Sequence, residues 1–194
     1  MKDDLRDIWK GETVACLASG PSLTPEDAEL VRAAGVRTIV TNTTFRLAPW
    51  ADILFGMDSR WWAAHAEEAK GFAGMRYAAA PGAVKAGARS LYGQRWFTNF
   101  GNSGAGAIGI ACHAGARRVL LLGYDCQAPE GVMHWHGSHP QGLGNGTSIR
   151  LWPGQFARAA AHAGNKGVHV VNCSRATALQ VFERGSLDAE LLRS

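Results

Sequence analysis

Thr13-Val14-Ala15-Cys16-Leu17-Ala18-Ser19-Gly20-Pro21-Ser22-Leu23-Thr24-Pro25-Glu26-Asp27 is the stretch that decides the fold. Its first six residues are an apolar run bounded by Gly11 and by Gly20-Pro21, the pattern of a short buried strand. Thr24 then stands where a helix N-cap is needed, Pro25 occupies the first helical position, and Glu26 and Asp27 put acids in the first turn. The helix is expected to stop at Gly35. A strand feeding a helix through a glycine turn is the opening unit of an α/β fold.

The same alternation continues outward. Arg37-Thr38-Ile39-Val40-Thr41 reads as a second strand and Asp52 to Met57 as a third, with Asp58-Ser59 capping a helix that carries Trp61, Ala64, His65 and Glu68. Trp61 and Trp62 are both expected in the core. Met75 to Ala79 predicts a fourth strand, whereas residues 80–101 have no period and predict loops with at most a short helix. Asn102-Ser103 precedes a small-residue helix through Ala105, Ile108, Ala111 and Cys112 that ends at Gly115. Arg118-Val119-Leu120-Leu121-Leu122-Gly123 is a strongly apolar strand, and a polar loop follows over 124–148. Residues 149–163 read as a helix whose start Pro153-Gly154 shifts, Val168-His169-Val170-Val171 is the last strand, and a short terminal helix is expected near Ala176. Strands that are apolar throughout and alternate with helices predict a Rossmann-like, mostly parallel sheet covered by helices on both faces. With 194 residues and 46% apolar content, one domain over 1–194 is expected.

Composition narrows the function classes. No apolar run reaches the roughly 20 residues of a membrane helix, and Met1-Lys2-Asp3-Asp4-Leu5-Arg6 is too charged for a secretion signal, so a cytoplasmic protein with no membrane span is expected. Cys16, Cys112, Cys126 and Cys173 form no Cys-x-x-Cys and are expected to be reduced and structural. The net charge of +4 comes from scattered arginines rather than a basic run, which permits a nucleic-acid partner without arguing for one.

In a doubly wound fold, ligands bind beyond the carboxyl ends of the strands. Polar residues recur at those ends: Ser19, Gly20, Pro21, Ser22 and Thr24 after the first strand, Asn42 after the second, and Asp58 after the third. Gly123, Tyr124 and Asp125 follow the Arg118 strand, and Asn172-Cys173-Ser174-Arg175 the last. Asn102, Ser103 and Gly104 open a helix whose N-terminus points to the same edge. In the first loop Gly20 permits close approach, Pro21 stiffens the turn, and the hydroxyls of Ser22 and Thr24 stand beside the open amides of a helix start, where anions are stabilised. The loop is neither a Gly-x-Gly-x-x-Gly fingerprint nor a Walker loop, which disfavours nicotinamide dehydrogenases and P-loop ATPases.

Ala18-Ser19-Gly20-Pro21-Ser22-Leu23, Asn42, Asn102-Ser103-Gly104, Leu122-Gly123-Tyr124-Asp125 and Asn172-Cys173-Ser174 together resemble the glycosyltransferase family 42 sialyltransferases. They also resemble the motility-accessory and pterin-pyrophosphokinase-like proteins of the domain of unknown function 115. Ala48-Pro49-Trp50-Ala51-Asp52, Trp61-Trp62 and His134-Trp135-x-Gly137-x-His139-Pro140 are similar to phage proteins labelled norphogenetic. The resemblance implies a phage-encoded, nucleotide-sugar-dependent transferase. Ser19, Gly20, Ser22 and Asn42 would contact the phosphate and sugar of a cytidine-type nucleotide, with Asn102, Ser103 and Gly104 near the ribose and Gly123 and Asp125 beside the base. The family loop usually carries Asn where this chain has Ser19, and the tyrosine pair that holds the donor phosphate has no clear equivalent. The donor is thus expected to be a CMP- or UDP-type nucleotide sugar, with no further cofactor and no metal. The acceptor would be a glycan or a hydroxymethylated base in phage DNA, and the state compatible with a homo-oligomer.

His134, His136 and His139 crowd the 124–148 loop, where the sialyltransferases place their base. A neutral imidazole with pKa near 6.5 suits removal of an acceptor proton in an inverting transfer, and His139 is expected to serve, with His134 second. Arg175, Arg150 or Arg60 would neutralise the leaving phosphate. The loop also admits a zinc site built on His134, His136, His139, Asp125 or Cys126, and a purely structural role. Two other functions fit the cleft: pterin-type pyrophosphoryl transfer with Mg²⁺ on Asp58 and Asp125, and a non-catalytic nucleotide-binding accessory protein.

Overall fold

The computed structural model describes residues 4–127, 134–137 and 149–193. The first strand, β1 (Thr13–Leu17), is wholly buried and pairs in parallel on both sides, with β2 (Arg37–Thr41) and with β6 (Arg118–Leu122). The sheet continues through β3 (Ile53–Gly56), β4 (Met75–Ala78) and a two-residue β5 (Arg89–Ser90) on one side. On the other side it continues through β7 (His169–Asn172) and a two-residue β8 (Glu183–Arg184). The resulting order is β5-β4-β3-β2-β1-β6-β7-β8, every pair parallel. This is the Rossmann-like α/β sheet expected from the uniformly apolar strands. The chain winds outward from β1 to β5 and then returns to lay β6 against β1, so the switch point lies between β1 and β6.

Alternate residues of each strand sort onto two faces, each covered by helices. Val14, Cys16, Ile39, Phe55, Val119 and Leu121 face α4 (Ser103–His113) and α5 (Trp152–Asn165). Ala15, Leu17, Val40, Leu54, Leu120 and Leu122 face α1 (Pro25–Ala33), α2 (Ser59–Ala64), α3 (Ala66–Lys70) and α6 (Leu187–Leu191). The small residues of α4 are required by proximity. A Cβ at Gly106 would come 2.5 Å from the Phe55 ring, and one at Gly109 2.8 Å from the Phe100 ring, well inside van der Waals contact. The polar lead-in contributes to the core after all: Leu5 and Trp9 are buried, and the amides of Asp7, Trp9 and Gly11 bond the carbonyls of His113, Ala114 and Gly115.

Helix α1 starts as its sequence predicts, with a reciprocal capping box. Asp27 N–H donates to Thr24 Oγ1 at 3.3 Å and Thr24 N–H donates to Asp27 Oδ2 at 3.2 Å. Thr24→Ala removes one half of this box and is expected to lower stability by about 1 kcal/mol. The check is the urea midpoint, which should fall while the slope of the transition stays constant.

Helix α5 starts at Trp152, beside Pro153-Gly154 as expected, after a 3-10 turn over Ile149–Leu151. Two expectations need correction. The segment 80–101 holds, besides a short 3-10 helix over Pro81–Ala86, the edge strand β5. No helix begins near Ala176; the terminal helix α6 starts at Leu187. The Thr177 hydroxyl donates to the Tyr124 carbonyl at 2.6 Å and accepts the Leu179 amide at 2.9 Å, so side-chain bonds hold that segment open. Trp61 and Trp62 are both buried, as expected. Among the described residues no helix is long and apolar enough to cross a membrane.

Candidate functional site

Beyond the carboxyl ends of β1, β2, β3 and β6 lies a cavity of about 280 Å³. That is near the lower end of the ~300–1,000 Å³ typical of small-molecule sites. Ser19 and Gly20 line it from β1, Asn42 from β2, Asp58 from β3, and Gly123 and Asp125 from β6. Asn102, Ser103 and Gly104 contribute the start of α4, and His134 closes one side. Pro21, Ser22, Arg150 and Arg175 do not line it. His139 and Pro140 lie outside the described residues, as does most of the 124–148 loop.

The glycine turn after β1 is spent on the protein itself. Gly20 N–H donates to the Gly123 carbonyl at 2.9 Å, and Leu23 N–H donates to the Gly20 carbonyl at 3.1 Å. The Asp125 carboxylate takes both the Ser22 amide (2.8 Å) and the Ser22 hydroxyl (2.5 Å). Asp125 thus fills the anion position that the sequence offers to a phosphate, using the same donors. Burial pushes its carboxyl above the ordinary range, partly offset by the two Ser22 bonds and by the charge of Arg184. Gly20 has a matching role: a Cβ there would meet the Gly123 carbonyl oxygen and fall 2.5 Å from Asp125 Oδ1. Its missing side chain lets two loops touch.

Arg175, expected on the leaving phosphate, forks onto Asp27 with bonds of 3.0 and 2.7 Å, and so ties the β7 loop to the capped start of α1. Arg150 is exposed on the turn before α5.

Open donors lie on the opposite wall. Of the first four amides of α4, Ala105 N–H is capped by Asn102 Oδ1 at 2.8 Å and Gly106 N–H bonds the Asn102 carbonyl at 3.0 Å. The amides of Ser103 and Gly104 have no acceptor among the described residues. Asn102 is a cap rather than a ligand contact, since its Nδ2 also donates to Gln155 Oε1 at 2.8 Å. Ser103 Oγ accepts the Met57 amide at 3.1 Å and donates to Asn42 Oδ1 at 3.3 Å, which leaves Asn42 Nδ2 as a donor at the cavity wall. Asn42 holds φ at +50°, and Cys126 at +51°; both line the cavity, and only Asp7 among the other described non-glycine residues shares a positive φ. Such backbone strain is characteristic of binding sites.

Asp58 caps α2 by accepting the Arg60 amide at 2.8 Å. With Asp125 bound to Ser22, the two carboxylates considered for Mg²⁺ both have structural duties. Among the described residues no group of three His, Cys, Asp or Glu is placed to hold a metal ion. The Cys126 thiol is pushed up to about 12 by burial and by the Asp125 charge, so it stays protonated at neutral pH.

Beside Tyr124 and Cys126, which also line the cavity, Gln127, Trp152 and Phe156 add a wall absent from the sequence expectations. Tyr124 is propped from below: its amide bonds Ser174 Oγ at 2.8 Å, and its hydroxyl donates to the Gly104 carbonyl at 3.1 Å. Trp152 and Phe156 stand one turn apart at the start of α5. The rule that brought the α4 start to the carboxyl edge applies equally to α5, which also precedes a strand of the sheet, so this wall was open to prediction.

Fold and cavity define a class: a doubly wound, all-parallel α/β protein with a ligand-sized cleft at its switch point. No family model matches the chain, and no curated protein does. Among solved structures it is similar to UDP-glucose 4-epimerase from Brucella ovis, determined in complex with NAD. The identity is 16%, the TM-score 0.35, and the alignment covers 84% of this chain and 51% of the other. The chain spans about half the length of that protein, and likeness of this degree adds nothing to the class that the sheet itself defines.

Proposed function

We propose that the protein binds a nucleotide sugar in the switch-point cleft and transfers the sugar to a hydroxyl group with inversion, His134 acting as base. The observation that supports this reading is the division of labour across the cleft. One wall offers open amides at Ser103 and Gly104 together with Asn42 Nδ2, and the other carries an imidazole. A phosphate at the α4 start gains both the amides and the positive end of an eleven-residue helix. In the reaction the base takes the acceptor proton, the acceptor oxygen bonds the anomeric carbon, and the sugar–phosphate bond breaks with its electron pair leaving on the nucleotide. The acceptor, a glycan or a hydroxymethylated base of phage DNA, follows from the sequence resemblance.

A thermal-shift panel of CMP, CDP, UDP and GDP with their sugars tests the binding step. A ligand at a hundredfold excess over its Kd adds about 2.7 kcal/mol, or roughly 5–10 °C in Tm for a chain of this size. Asn42→Gly preserves the backbone angle while deleting the amide, and is expected to weaken the best nucleotide at least about tenfold. His134→Ala should keep the shift and lose about 10²–10⁴ in turnover. No shift with any nucleotide or nucleotide sugar would sink the reading.

A further inference from the structure

A second cavity, an open groove of about 660 Å³, lies at the opposite edge of the sheet, where β2, β3, β4 and β5 begin. Arg37, Asp52, Arg76 and Arg89 line it together with Trp9 and Trp50. The three guanidiniums differ in how their charge is spent. Arg37 donates to Glu12 at 3.1 Å and to Asp52 at 3.4 Å, and Asp52 also takes the Thr38 amide at 2.8 Å. That end of the groove has two carboxylates to one arginine. Arg89 pairs with Asp4. Arg76 has no carboxylate partner among the described residues. Its Nη1 donates to the carbonyls of Phe72 at 2.7 Å, Lys70 at 3.2 Å and Ala69 at 3.4 Å, and its Nε to that of Gly87 at 3.3 Å. These bonds to neutral oxygens fix the guanidinium plane and leave its charge uncompensated.

We propose that this groove binds a phosphomonoester with a planar body, its phosphate held by Arg76 and Arg89 and its body lying toward Trp50. The two arginines stand on neighbouring strands, about 5 Å apart: Tyr77 pairs with Arg89, and Arg76 is one residue before Tyr77. Two guanidiniums against Asp4 leave this end positive, which places the anion here and not beside Arg37. A carboxylate has two oxygens, which a single arginine fork satisfies, whereas a phosphomonoester dianion has three terminal oxygens, no donor, and acceptors for two forks at once. Arg76 is already held by four carbonyls, so little rotamer freedom is lost when it engages the ligand. Gly87 presents no side chain where a Cβ would stand 3.8 Å from Arg76 Nη2. The groove is far larger than a phosphate, and the partly exposed Trp50 offers a ring face for an offset stack with the rest of the ligand. The carboxylates of Glu12 and Asp52 at the far end argue for one phosphate rather than two spaced along it. The strands separate this groove from the cleft, and the inference does not depend on the transferase reading.

Titration of the labelled full chain with phenyl phosphate, at constant ionic strength and mildly alkaline pH so that the ester is a dianion, tests the site by proton–nitrogen NMR. The Trp50 indole N–H is expected to shift and saturate. Arg89→Gln, an exposed substitution on the edge strand, should weaken binding at least about tenfold. Arg76→Gln should abolish it, but also loosens the end of α3, so Arg89→Gln is the deciding variant. Inorganic phosphate, which lacks the ring, should bind about tenfold more weakly, and benzyl alcohol, which lacks the charge, should leave the resonance unmoved. Asn42→Gly, in the cleft, should leave the Trp50 titration unchanged. No saturable shift up to about 10 mM, the range of the weakest specific sites, overturns the proposal. So does an equal shift with benzyl alcohol, equal affinity for inorganic phosphate, or an affinity untouched by Arg89→Gln. Loss of the Trp50 shift in Asn42→Gly would assign the phosphate to the cleft and overturn it as well.

Discussion

Gly20→Ala is expected to lower Tm by roughly 10 °C and to abolish nucleotide binding. The new Cβ would be placed against the Gly123 carbonyl oxygen, 2.5 Å from Asp125 Oδ1 and 2.6 Å from Asp125 Cγ. One obstacle is backbone and the other a buried carboxylate held by two hydrogen bonds, so neither can yield alone. The β1 and β6 loops must part, breaking the Gly20–Gly123 bond and the Ser22–Asp125 pair at the switch point. Overpacking of this kind costs about 3 kcal/mol or more, a large share of a typical domain's stability. A Tm within about 2 °C of wild type would show that the two loops do not depend on their contact.

Asp125 separates two effects that one substitution would confuse. Asp125→Ala strips the acceptor from the Ser22 amide and leaves it unpaired in the contact between the β1 and β6 loops, for an expected loss of about 2–4 kcal/mol. Asp125→Asn keeps an oxygen for that amide and presents an NH₂ group to the Ser22 hydroxyl, which can accept. It also removes a charge that burial disfavours. Because the folded state raises this carboxyl above its unfolded value, the folded chain binds more protons across the interval between the two. The stability this group contributes is therefore fully present in acid below the unfolded value, and is lost as pH rises through the folded one. The Asn variant has no such loss, so it should gain on wild type between acid and neutral pH. Paired urea midpoints at the two ends check the sign. The opposite trend would mean that the attraction of Arg184 outweighs burial.

Much of the fold was legible in the sequence, because the signals are local. β1 and β6 are unbroken apolar runs, and Thr24-Pro25 and Asn102-Ser103 mark helix starts by their caps. The location of the cleft followed from the alternation alone, since parallel strands bring all their carboxyl ends to one edge. What stayed hidden was how each donor is spent. Nothing near Ser22 announces that its amide belongs to Asp125, 103 positions away, or that Arg175 reaches back 148 positions to Asp27. A loop with the composition of a phosphate cradle is for that reason held by a carboxylate, while the amides left open belong to α4. The terminal helix was misplaced for a similar cause: the Thr177 side chain competes with the backbone through a bond to Tyr124 that no local pattern encodes.

The strand order also has a consequence in biosynthesis. β1 leaves the ribosome about a hundred residues ahead of one of its two partners, β6, which ends at residue 122. Until then the apolar strand has β2 along one edge and a bare row of amides and carbonyls along the other, the arrangement that recruits foreign strands. Among the described residues the folded sheet ends in two strands of only two residues each, which offer little to a neighbour. Vulnerability to aggregation therefore belongs to the nascent chain, in the interval before β6 docks, and chaperones that shield emerging apolar segments would act on it there.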